Sequence, residues 1–182
     1  HNIGFKTVEE IAANFQFSTR LSGQAFHFQS IFNAQISKGK INGKKVVLAK
    51  PQPFMNNSGL AVKKIIKNLK LKHGENLIVI HDDWDLPLEK IRISKNRGSA
   101  GHKGVESIIK ALGTKNFVRL RIGVKPRTEK QKTKKSIDKF VLQNFNKEEE
   151  KSVEKVLKKT IGAIEELVKE GSEKAMTKYN QN

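Results

Sequence analysis

Four short islands of this chain hold the residue types that hydrolytic chemistry needs. Leu77-Ile78-Val79-Ile80 runs into His81-Asp82-Asp83-Trp84-Asp85, so an apolar strand ends on an imidazole and three carboxylates. The carboxyl ends of strands are where open α/β sheets keep their reactive groups. The other islands are His1-Asn2-Ile3-Gly4-Phe5, the run Pro53 to Gly59 (PFMNNSG) and the run Gly98 to Gly104 (GSAGHKG). Cleaving an ester needs a water, a base to take its proton and donors for the oxyanion that forms. Histidine suits the base, because its ordinary pKa of about 6.5 leaves it largely neutral at pH 7 and a carboxylate behind it fixes the tautomer. Asn56 adds an amide that both donates and accepts. The glycines around His102 let backbone come close to a ligand, although the run fits neither GxGxxG nor a P-loop.

These islands need elements to hold them. Thr7-Val8-Glu9-Glu10 reads as a capping box, and Val8, Ile11, Ala12 and Phe15 follow at helical spacing, which puts His1 in the loop before a short helix. Phe26 to Ile36 and Lys44 to Ala49 read as two strands, an antiparallel pair closed by Asn42-Gly43. Pro51 and Pro53 end the second strand, and Asn56, Asn57 or Ser58 caps a helix with Ala61, Val62, Ile65, Ile66 and Leu69 on one face. Strands follow at 77–80, at 90–93 and at 117–124, with Arg119 and Arg121 on the face opposite Val118, Leu120 and Ile122. Between the last two strands a helix covers Val105 to Leu112. A long helix spans Glu148 to Glu170, Gly171 stops it, and a further turn or two reaches Tyr179. The alternation of strands and helices is that of an α/β protein.

Composition limits the partners. Of 182 residues, 36 are Lys or Arg and 18 are Asp or Glu, a formal charge of +18, with a sequence pI near 10.1. A field of that sign attracts polyanions, nucleic acid first among them, though a lysine-rich solvated surface accounts for part of it. Lys125 to Lys139 is the most basic stretch and reads as a flexible surface loop. Cysteine is absent, so neither disulfides nor thiolate metal sites are available. No apolar run approaches the roughly 20 residues of a membrane span, and a cytoplasmic protein is expected. A divalent-metal site built from His81, Asp82, Asp83 and Asp85 is disfavoured, since neighbouring strand residues point to opposite faces.

In this order and at these separations, HNIGF, PFMNNSG, HDDWD and GSAGHKG resemble the bacterial peptidyl-tRNA hydrolases. The resemblance continues to Gly171-x-x-Lys174-Ala175-Met176 and so spans nearly the whole chain. It implies one three-layer α/β/α domain over residues 1–182 with a mixed central sheet. It also implies hydrolysis of the ester between peptide and tRNA by a monomer that needs no cofactor and no metal, with contacts to the acceptor stem and 3′ end. Residue by residue, His1 matches the catalytic base, Asp82 the carboxylate that orients it, and Asn56 the amide that positions substrate and water. Phe54 and Met55 fall on the peptide side, and His102 and Lys103 on the acceptor end. Arg121 matches an arginine that clamps the 5′-phosphate of tRNA.

The chain departs from the family's pattern in three places. Lys103 stands where an Asn is usual. The lysine that accompanies the phosphate-binding arginine falls at Ser94, leaving Arg92, Lys95 or Arg97 to replace it. Family members begin with a strand and a Gly-x-x-Asn-Pro-Gly loop, so residues are expected before His1. A second function class shares the fold, an RNA-binding or RNA-processing module that cleaves nothing. His1, Asp82 and Asn56 favour the hydrolase, whereas Lys103 leans toward the module.

Overall fold

Apolar residues at both parities of one strand force helices onto both faces of its sheet, and this is how the fold is built. The computed structural model describes residues 3–17, 25–52, 54–71, 74–125 and 147–181. His1, Asn2, Pro53 and the basic stretch beyond Lys125 lie outside the described residues.

Helix α1 covers Ile3–Asn14 and buries Ile3, Val8, Ile11 and Ala12. It begins before the predicted capping box. Thr7 lies a turn inside, fully buried, and its hydroxyl donates to the Ile3 carbonyl at 2.7 Å. Burying Ile3 on the stripe it shares with Thr7 and Ile11 outweighs the capping signal at Thr7.

The strand predicted over 26–36 is two strands. β1 (His27–Gln29) and β2 (Ala34–Ile41) are joined by a turn in which Asn33 takes a φ of 48°. β2 pairs antiparallel with β3 (Lys44–Pro51) from Ala34 opposite Pro51 to Ile41 opposite Lys44. The expected Asn42-Gly43 turn closes this hairpin with φ of 48° and 76°, which suits the twist of the flanking strands. A single turn of 3-10 helix, Met55–Asn57, leads into α2 (Ser58–Asn68). Asn57 is the N-cap residue but makes no side-chain cap bond, while the Ser58 hydroxyl donates back to the Met55 carbonyl at 3.0 Å.

β4 runs from Gly74 to Pro87, well beyond the predicted 77–80. β5 (Ile91–Lys95), α3 (Lys103–Leu112), β6 (Phe117–Lys125), α4 (Lys147–Glu170) and α5 (Ser172–Tyr179) complete the chain. β6 lies between β4, to which it is parallel, and β5, to which it is antiparallel. The mixed sheet thus forms as two three-stranded sheets, β1-β2-β3 and β4-β6-β5.

Three layers result. Val62, Val105 and Ile108 of α2 and α3 pack against Leu77, Val79 and Phe117 on one face. Ile11, Val156, Ile164 and Ala175 of α1, α4 and α5 pack against Ile78, Ile80, Leu120 and Ile122 on the other. Leu77 to Ile80 is therefore covered on both sides, as its unbroken apolar run predicts. The outer edge strand is closed by Asn180, whose amide accepts from the Ile93 N–H at 2.8 Å and donates to the Ile93 carbonyl at 2.9 Å. A side chain placed there mimics one more strand and blocks pairing with other molecules. Among the described residues no helix is long and apolar enough to cross a membrane.

Candidate active site

The polar end of β4 meets the first turn of α3 and the turn that precedes α2. One cleft of about 1250 Å³ is lined there by Phe5, Met55, Ser58, His81, Asp82 and His102, and extends between the two sheets. Glycine makes the closure possible. A side chain at Gly104 would place its Cβ 2.5 Å from Met55 Sδ and 3.1 Å from His102 Cε1.

His102 is the N-cap of α3, and the Val105 N–H donates to its Nδ1 at 3.2 Å. Its Nδ1 is thus an acceptor, the proton of the neutral ring sits on Nε2, and Nε2 faces Asp82 Oδ1 at 3.3 Å. One helix cap fixes the tautomer that the carboxylate requires. Burial acts to raise the Asp82 carboxyl, but the hydrogen bond and charge of His102, joined by His81, outweigh it and hold it below the usual carboxylate range.

His81 is only 6% exposed, and its ring centroid lies 4.6 Å from that of His102 at an interplanar angle of 60°. Its Nδ1 lies 2.6 Å from the Asp82 carbonyl oxygen. A carbonyl only accepts, so His81 carries its proton on Nδ1. Burial, then the charge of His102, lowers the His81 pKa from 6.5 to about 4, against the raising effect of the Asp82 carbonyl and carboxylate. The unfolded chain then binds the extra proton between pH 6.5 and 4, and stability should fall as pH drops through that window. Asp82, whose folded pKa is depressed, adds a further loss below its ordinary 3.8. Melting temperature against pH checks this, and His81→Asn should flatten the upper window.

A second cluster lies on the α3 side of the sheet. Asp83 is buried and its Oδ2 accepts from Arg121 Nε at 2.5 Å. Arg119, 3% exposed, sits opposite Ser94. Burial, then Arg121, pulls the Arg119 guanidinium below its ordinary value, Asp83 opposes this, and Arg97 adds to it. Arg119 Nε and Nη1 and Ser94 Oγ are buried without a hydrogen-bond partner among the described residues.

Of the residues singled out from the sequence, the fold brings Met55, Asp82 and His102 to one cleft. Asn56 is exposed on the adjoining 3-10 turn, Phe54 is 86% exposed and Met55 44%. Lys103 opens α3 and is exposed. Arg121 stands on β6 opposite His81, tied to Asp83. Asp82 and Asp83 turn away from each other, one to His102 and one to Arg121, which removes the pair from a shared metal site. The sequence reading overlooked the pairing of His102 with Asp82 and the bond from His81. A histidine three residues before the apolar start of a helix was the available signal for the first.

A carboxylate at the end of a parallel strand, bonded to an imidazole with a fixed tautomer beside an open cleft, defines an α/β protein of the hydrolase class. Residues 1–182 match the family model for peptidyl-tRNA hydrolase. The peptidyl-tRNA hydrolase of Aquifex aeolicus (strain VF5) is 40% identical over 181 residues, covering 100% of this chain and 88% of that protein. That of Chloroflexus aurantiacus (strain ATCC 29366 / DSM 635 / J-10-fl) is also 40% identical, covering 99% and 89%. A crystal structure of peptidyl-tRNA hydrolase from Acinetobacter baumannii superposes with a TM-score of 0.82 at 26% identity, covering 99% of this chain and 85% of that one. The chain belongs to the peptidyl-tRNA hydrolase family. It hydrolyses the ester that joins peptide to tRNA, and the comparisons give no support to the RNA-binding module.

Proposed function

We propose that the ester is cleaved at the Asp82 end of the cleft, with His1 as the general base, Asp82 orienting it and Asn56 aligning water with the carbonyl. The observation that carries this reading is the carboxylate of Asp82, held ionised and aimed by His102 at a cleft that Phe5 and Met55 also line. Phe5 belongs to the HNIGF island, and α1 packs against β4 from Ile3 onward. Those placements support His1 reaching Asp82.

Phe54 and Met55, apolar and exposed, form the peptide side. The Asn56 amide donates to the developing oxyanion or holds a peptide group, because it offers both kinds of bond. His102 and Lys103 meet the acceptor end of the tRNA, with Lys103 supplying charge where the family uses an amide. Arg121 binds the 5′-phosphate. Its Nε is taken by Asp83, and the two terminal nitrogens are the ones that phosphate oxygens would meet. Arg92 stands directly opposite Arg121 in the β5–β6 ladder, whereas Ser94 stands opposite Arg119. Like charges placed across a ladder repel unless an anion joins them, so Arg92 is the partner of Arg121 in this chain. The enzyme acts in the cytoplasm as a monomer.

Release of labelled peptide from a peptidyl-tRNA, with an aminoacylated tRNA as comparison, tests the reading. Turnover is expected with the first and little with the second, and KM should rise steeply with salt through counterion release. Equal turnover of both, or a KM indifferent to salt, would count against the assigned contacts.

A further inference from the structure

His81 is buried in the wall of the cleft, and yet is not an apolar filler. Its Nε2 is buried without a hydrogen-bond partner among the described residues. An imidazole kept there carries a desolvation cost that a leucine would not. What the ring supplies in return is on its other side. Nδ1–H donates to the carbonyl of Asp82, the residue next along the strand, and the ring edge rests against His102. The ladder between β4 and β6 holds the backbone of Asp82 opposite Ile122 and loses its register only between Asp83 and Pro87, so pairing fixes the Asp82 backbone on the β6 side and leaves its side chain to be aimed by other contacts.

We infer that His81 is a positioning residue, whose Nδ1–H and ring together hold the Asp82 peptide and the His102 imidazole in the arrangement that aims the Asp82 carboxylate. The inference rests on the placement of Asp82 and His102 in the active site. His81 acts through these two. Burial beside His102 keeps the ring neutral down to about pH 4, so it can stand next to a second imidazole without repelling it. The arrangement also explains why His81 and Asp82, which leave the strand in opposite directions, both meet His102: α3 begins at the strand's end, with its cap across the edge.

Three substitutions separate the donor from the ring. In His81→Asn the amide Nδ2–H stands where Nδ1–H stood, His81→Phe keeps a ring without a donor, and His81→Leu keeps neither. Peptide release should show kcat lowered about tenfold in the Leu variant with KM within about twofold of wild type, and part of that loss restored separately by the donor of the Asn variant and by the ring of the Phe variant. The ¹⁵N resonances of His102 give a second readout. In wild type they should show Nδ1 as acceptor and Nε2 protonated, and in the Leu variant a mixture of tautomers. Wild-type kcat in the Leu variant, or equal losses in Leu and Asn that track melting temperature with His102 resonances unmoved, would overturn the inference. Those outcomes are distinct from failure of the active-site placement, which would show as wild-type turnover in Asp82→Asn.

Discussion

Asp82→Asn should lower kcat for peptide release by roughly two orders of magnitude or more while tRNA binding stays near wild type. The substitution is chosen because it spares the fold. The amide oxygen can still accept from His102 Nε2, and Asp82 is partly exposed at the cleft, so no charge is left stranded in the core. What is lost is the anion. His102 and His81 hold the Asp82 carboxyl below its ordinary range, so it is ionised at neutral pH, and the loss in Asp82→Asn should not be recovered by raising the pH. His1→Ala should cost a similar factor, and the double variant should be little worse than the more damaged single one, because a base and the group that orients it act as a unit. Additive losses would mean that the two act separately. Wild-type turnover in either single variant would remove that residue from the mechanism.

Much of this was legible along the chain because it is local. The parity of Leu77 to Ile80, the Asn42-Gly43 turn and the Gly171 stop of the long helix each report an element through a few neighbours. So does the polar cap on an apolar strand that marks Asp82. The errors are also local, and each shows a tertiary term defeating a nearby signal. Burial of Ile3 carries α1 past a good capping box, and burial of Phe32 in a turn splits a stretch that has strand composition throughout. Pairings are a different matter. His102 lies 20 positions from Asp82, and their meeting depends on β5 passing outside β6, so that α3 returns to the end of β4. Nothing in either residue's neighbourhood encodes that. His81 shows the limit most plainly: the type of residue was visible, but its function depends on which of two ring nitrogens finds a carbonyl.

Gly59→Ala should damage stability and substrate binding together, since one glycine sets both the packing of two helices and the position of the peptide side of the cleft. Gly59 is the second residue of α2 and is buried where α2 crosses α3. A methyl group there would overlap the Ser107 carbonyl, and the Ala111 Cβ would lie only 2.8 Å from it. The Gly59 N–H also donates to Ser107 Oγ at 3.0 Å. Backbone cannot step aside as a flexible side chain can, so α2 must move away from α3 or lose this bond. Overpacking of this kind costs about 3 kcal/mol, equivalent to a fall of roughly 6 to 12 °C in melting temperature for a domain of this size. The displaced segment starts at Met55 and Asn56, whose turn runs straight into α2 and whose Met55 side chain rests on Gly104 beside His102. KM for peptidyl-tRNA should therefore rise several-fold at temperatures where the variant is fully folded, with the Asp82–His102 bond intact because both residues lie on β4 and α3. Ser107→Ala provides the control. It removes the hydroxyl but adds no volume, so it should cost about 1 kcal/mol and leave KM unchanged. If Gly59→Ala melts at the wild-type temperature, the helices have room that the geometry denies. If it is destabilised but keeps the wild-type KM, the 55–57 turn does not depend on the helix behind it, and the peptide side of the cleft is set elsewhere.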